Sequence, residues 1–123
     1  MILVDTTVWV DHLRSGDVQL AALLDSAAAS THPFIIGEIG LGAIRQRDVV
    51  LGALRDLPQA EVADDREVLQ FIEQQQLWGL GIGYVDVHLL AAARLTPDTL
   101  LWTRDKRLHA AADTLALAYD RRS

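Results

Sequence analysis

The chain contains no cysteine, which removes disulfides, thiolate nucleophiles, cysteine-ligated zinc and iron–sulfur clusters from consideration. That absence fits a cytoplasmic protein. No stretch approaches the run of about 18 apolar residues that a membrane span needs. The opening residues, MILVD, meet an acid at position 5, without the basic start and longer apolar stretch of a secretory signal. A soluble chain is therefore expected. Lysine is nearly absent as well: the eleven cations are ten arginines and Lys106. No repeat, low-complexity tract or linker interrupts the chain.

What remains is the composition of a folded domain. Half of the 123 residues are hydrophobic and 23% are charged, enough length for one core and not for two. We expect a single domain over residues 1–123. The net charge of −6 argues mildly against nucleic acid as a partner. The cations are clustered, however, at Arg45/Arg47, Arg104/Lys106/Arg107 and Arg121/Arg122, and local arginines bind phosphate bidentately whatever the global charge. An excess of acid is also expected where several carboxylates stay gathered to hold divalent cations.

Hydrophobic patterning predicts a buried strand at Ile2–Val4, closed by Asp5, and a helix from Thr6 or Thr7 to about Arg14 with Gly16 as its stop. Helical spacing covers Val18–Ala29. Ser30–Phe34 reads as a second short strand, Ile35–Arg45 and Val49–Leu57 as helices, and Ala60–Ala63 as a weak strand. Asp64 and Asp65 offer a cap for a helix over Arg66–Trp78. GLGIG (Gly79–Gly83) reads as a loop, Val85–Leu95 as a strong helix, and Thr99–Thr103 as a strand. A helix over Lys106–Thr114 and a last strand near Leu117–Tyr119 complete the pattern. Short apolar strands alternating with helices imply an α/β domain, a parallel sheet covered on both faces.

Four acids then stand out. Asp5 closes the first strand and Asp105 follows the strand ending at Thr103; ligands of open α/β sheets gather at the carboxyl ends of strands. Asp86 shares a helical face with Leu89, Leu90 and Ala93, and Glu38 shares one with Leu41 and Gly42. Taken singly, each acid reads as a helix cap before it reads as a ligand. Taken together, they are four carboxylates at four element ends that one topology brings to one edge. Such a group repels itself unless cations neutralise it, and oxygen-only ligands favour Mg²⁺ or Mn²⁺ over zinc. Two such ions roughly 4 Å apart activate water and stabilise the leaving oxygen in phosphoryl displacement. Thr6 and Thr103 are candidates to orient these ligands or phosphate, with capping and strand propensity as the alternative accounts.

These residues form an ordered pattern. VDTTVWVDHL, FIIGEIGLG, VDVHLLAAA and LLWTRDKRL carry Asp5, Glu38, Asp86 and Asp105 in turn, and the set resembles the PIN-domain ribonucleases, within them the VapC-type toxins. The resemblance runs from position 2 to about 109. It implies a three-layer α/β/α PIN-like fold with a short, mainly parallel central sheet. It also implies a Mg²⁺- or Mn²⁺-dependent endoribonuclease with Asp5, Glu38, Asp86 and Asp105 as catalytic metal ligands, acting on single-stranded or looped RNA. A cognate VapB-type antitoxin and a homodimer are implied as partners. Many relatives carry a further acid where this chain has Arg107, so a second cation is expected to be held weakly or only when RNA supplies phosphate oxygens. Arg104, Lys106 and Arg107 are candidate phosphate contacts, with a solvated basic helix start as the alternative.

Other signals carry less. GLGIG matches neither a dinucleotide fingerprint nor a P-loop. His12, His32, His88 and His109 lack paired metal-ligand spacing and are expected to be structural or surface residues. Trp9, Trp78 and Trp102 read as core or interface residues before base platforms; Trp9, Val10 and Leu13 also suit a groove for a partner helix. Competing functions are a receiver-like signalling module, which needs an acidic pair after the first strand where Asp5 stands alone, a non-catalytic PIN-like interaction domain, which would have lost acids, and a nuclease acting on DNA.

Overall fold

The computed structural model describes residues 1–120. The element order is β1 (Ile2–Val4), α1 (Thr6–Ser15), α2 (Val18–Asp25), β2 (Ala29–Ser30), α3 (Pro33–Gly40), α4 (Arg47–Asp56), α5 (Asp65–Gln75), α6 (Tyr84–Leu95), β3 (Leu100–Trp102) and α7 (Lys106–Thr114). The three strands form a parallel sheet in the order β2-β1-β3. Leu3 and Val4 of β1, which point to opposite faces, are both buried, as are Leu101 and Trp102 of β3. Helices therefore cover both faces of the sheet, the α/β/α layering expected of consecutive apolar strand residues.

Topology positions the site. From the central strand β1 the chain crosses to β2 on one side and returns to β3 on the other. The crevice of an open parallel sheet forms where the crossover direction reverses, here between the carboxyl ends of β1 and β3. The register Ile2↔Leu100, Leu3↔Leu101 and Val4↔Trp102 continues one step further, with the Asp5 N–H donating to the Trp102 carbonyl at 2.9 Å. Asp5 is thereby locked beside Thr103.

The helix ends follow local chemistry. Gly16, at φ 79°, closes α1; Asp17 caps α2 by accepting the Leu20 N–H; Asp64 and Glu67 form a reciprocal capping box on α5. Several expected boundaries shift. The strand expected over Ser30–Phe34 shortens: β2 covers Ala29–Ser30, Thr31 adds one isolated bridge, and Pro33 occupies the first position of α3, where its missing N–H and fixed φ suit a helix start. The helix expected through Arg45 stops at Gly40, whose carbonyl accepts two bonds from the Arg47 guanidinium. The helix expected through Ala29 ends at Asp25, with Ala27 left-handed at φ 56°. That expected through Trp78 ends at Gln75, with Gln76 left-handed at φ 54°. Ala60–Ala63 forms no strand, and only Gln59 just before it bridges to Thr31; the last strand candidate reduces to the single parallel bridge Leu101–Ala118, too short to extend the sheet.

Candidate active site at the carboxyl edge of the sheet

Asp5 stands at the N-cap position of α1, yet its side chain makes no capping bond. Its Oδ2 instead accepts hydrogen bonds from the Thr103 hydroxyl at 2.7 Å and the Thr7 hydroxyl at 2.9 Å. Each threonine is itself held by the neighbouring junction. Thr7 Oγ1 accepts the Arg104 N–H at 3.0 Å, and Thr103 Oγ1 accepts the Asp105 N–H at 3.1 Å. Two parallel relays therefore run from backbone amides through hydroxyls to one carboxylate oxygen, each bond polarising the next. With only 5% of Asp5 and 6% of Thr103 exposed, a buried carboxylate is held in place by its donors, as burial of a charge requires.

The other acids surround this core. Glu38, exposed on α3, accepts the Thr6 hydroxyl at Oε1, 2.7 Å, so the residue after Asp5 tethers the second acid. Asp86, in the first turn of α6, accepts the Gly83 N–H at Oδ2, 3.0 Å. Its carboxyl group is pushed above the usual range, first by burial and then by the negative charges of Asp5 and Asp105; the Gly83 bond opposes this. Asp105 caps α7, with Oδ1 accepting from the Arg107 and Leu108 amides at 2.9 and 3.0 Å. Asp5, Asp86 and Asp105 thus share one electrostatic neighbourhood, and Glu38 is linked to it through Thr6.

In all four acids one oxygen is engaged by the protein, while the other has no protein hydrogen bond among the described residues. That oxygen-only set, with like charges already raising the Asp86 carboxyl, suits a hard dication such as Mg²⁺ or Mn²⁺. Among the described residues no three Asp, Glu or His side chains stand close enough to form a finished metal-binding group.

The basic residues divide. The Arg104 guanidinium pairs with Asp11 through one nitrogen and with Asp17 through the other, and lies 5.9 Å from the centre of the Trp102 ring. It braces α7 against α1 and α2. Lys106 and Arg107 are exposed. Arg107 crosses the loop before α6 so closely that a Cβ on Gly81 would meet its guanidinium at 2.6 Å. Gly81 has φ +75°, and that backbone conformation, which L side chains rarely adopt, is what favours glycine there.

Thr7 is the site residue that the sequence pattern does not single out beyond a helix start, and its hydroxyl joins Asp5 to the β3–α7 junction. The consecutive threonines after Asp5 were the available signal. His88 is buried on α6 between Phe34 and Tyr84, with ring centroids 4.8 and 4.7 Å away, and its Nε2 lies 3.3 Å from Asp65. His32 is buried too, caps α3 through Nδ1, and is pushed down to about 4 by burial and by His88. Trp9 and Trp102 belong to the core, whereas Trp78 is 60% exposed.

A model of the PIN domain matches residues 2–114. The chain belongs to the PIN-domain family. It is 50% identical over 111 residues to "Ribonuclease VapC32" of Mycobacterium tuberculosis, in both the CDC 1551 / Oshkosh and H37Rv strains, with 90% of each chain covered. This marks it as a VapC-type PIN protein. The crystal structure of FitAcB from Neisseria gonorrhoeae superimposes with a TM-score of 0.65 at 21% identity, covering 98% of both chains, a likeness of fold. Among the described residues of this PIN chain, no helix is long and apolar enough to cross a membrane.

Proposed function

We propose that this PIN protein is a Mg²⁺- or Mn²⁺-dependent endoribonuclease and the toxin of a toxin–antitoxin pair. The observation that carries the reading is the Asp5 carboxylate, which forgoes capping its own helix and is held by two threonine relays with one oxygen left over. The name of the mycobacterial relative supports ribonuclease activity. Asp5, Glu38, Asp86 and Asp105 would hold the cation. When bound, the cation supplies charge neutralisation at the phosphate and a more acidic water.

The chain's own residues do the rest. Thr103 and Thr7 fix the direction of the Asp5 carboxylate, and Thr6 directs Glu38 toward the same edge. Asp86 binds a proton more readily than a free carboxyl, so proton and cation compete there and cleavage weakens toward low pH. Arg104 is occupied by Asp11 and Asp17, which leaves Lys106 and Arg107 to meet RNA phosphates. A cognate antitoxin that covers this edge, and a homodimer of the toxin, complete the proposal, with the cytoplasm as the place of action.

Purified protein is expected to cut single-stranded RNA with Mg²⁺ or Mn²⁺ and to stop on addition of EDTA. Undiminished cleavage in EDTA would sink the metal mechanism, and cleavage of DNA at an equal rate would replace the substrate assignment.

A further inference from the structure

Beside the carboxylate site lies an open cavity of about 320 Å³, lined by Trp102, Thr103, Arg104, His109, Tyr119 and Asp120. Thr103 belongs to both: its hydroxyl donates to Asp5, and the residue also forms part of the cavity wall. The cavity and the carboxylate site are thus joined through one residue. The volume sits at the small end of the range for organic ligands, roughly 300–1,000 Å³, enough for one flat heterocycle and too small for a duplex.

The lining combines rings and polar edges. Tyr119 packs against Trp102 with centroids 5.5 Å apart, and its hydroxyl accepts from Gln19 at 2.5 Å, which fixes the phenol ring. His109, on α7 and half-buried, adds an imidazole, and Asp120 adds a carboxylate. Rings beside fixed hydrogen-bonding groups are how proteins hold the unstacked bases of single-stranded RNA. The charge balance points away from phosphate: the Arg104 guanidinium on this wall is already paired with Asp11 and Asp17.

We propose that this cavity is a base-binding subsite, which receives one unpaired nucleobase next to the scissile phosphate and sets the sequence preference of cleavage, with His109 as its reading residue. The inference rests on the ribonuclease reading above. It also makes a claim about binding that stands apart from catalysis.

Two experiments test it. The first compares cleavage of a randomised single-stranded RNA pool by the wild type, His109→Ala and His109→Gln. The wild type should prefer one base at a fixed position beside the cut. His109→Ala should lose about tenfold on the preferred base while the other three change little, and His109→Gln should recover part of the loss. A wild-type preference in His109→Ala overturns the subsite. The second titrates Asp5→Asn protein with the four nucleosides and, separately, with inorganic phosphate, following the His109 and Tyr119 ring signals by NMR. Shifts with a nucleoside and none with phosphate support base binding; the reverse, or no response to any nucleoside, overturns it. If the wild type cuts no RNA yet a nucleoside shifts these signals, the ribonuclease reading has failed and the binding claim has not.

Discussion

Two strand-to-helix junctions lie side by side at the carboxyl edge of the sheet, and they use the same residue type in opposite ways. Asp105, between β3 and α7, caps its helix through two backbone amides. Asp5, between β1 and α1, stands at the same N-cap position and caps nothing. Its oxygen is taken by Thr7 and Thr103, and those hydroxyls are anchored by amides of the Asp105 junction. An N-cap contributes ~1 kcal/mol. A helix that leaves that contribution unused, with its carboxylate buried and steered elsewhere, marks the position where side-chain direction matters more than helix stability. The Asp105 junction serves both ends: it stabilises α7 and supplies the amides that steer Asp5.

Substituting Asp5 tests the comparison hardest. Asp5→Asn should lower RNA cleavage by about 10³-fold or more while leaving α1 capped no worse than before. A variant that keeps its activity would reduce the junction to architecture. Thr103→Val preserves shape and removes one relay, and should cost roughly 10–100-fold in activity, the range for residues that orient a metal ligand. Its thermal unfolding should change less than its rate; equal losses in both would assign Thr103 to the core alone.

Asp105 should behave in the opposite manner. Asp105→Ala should lose ~1 kcal/mol of stability with the cap, visible in urea unfolding, whereas Asp105→Asn keeps an acceptor and should keep most of that stability. Activity that falls in both would mean that Asp105 acts as ligand as well as cap. The smallest effect on stability is expected at Asp86. Its carboxyl group is raised above its ordinary 3.8 in the fold, so its ionisation works against folding. That penalty is absent well below pH 3.8 and grows as pH rises through the raised value. Metal-free Asp86→Asn should therefore melt slightly higher than the wild type at neutral pH, with the gap closing in acid, while cleavage is lost. A lower melting point at neutral pH would show that the Gly83 contact outweighs the repulsion.

The family was legible in the sequence because four acids occur in order in short motifs along the chain, and those acids remain the candidate site. The use of each acid was not legible. Whether an acid at an N-cap position turns to its own amides or to a neighbouring strand depends on what that strand brings near, and Thr103 is 98 residues from Asp5. Arg104 gave the same difficulty: three cations in four residues read as a phosphate-binding cluster, but Asp11 and Asp17 neutralise the first of them. Strand ends were misplaced for a related reason, since Pro33 is compatible with both an edge strand and the first turn of a helix.

Sequence alone thus determined the alternation of short apolar strands with helices, the class of fold it compels, and the oxygen-only donor set of the four candidate acids, because these depend on local periodicity and residue type. The tertiary structure decided which strands are neighbours, that the crevice opens between β1 and β3, and that Asp5 is steered while Asp105 caps. Those outcomes depend on register and on contacts between distant segments, which come within hydrogen-bonding range only once the sheet has closed.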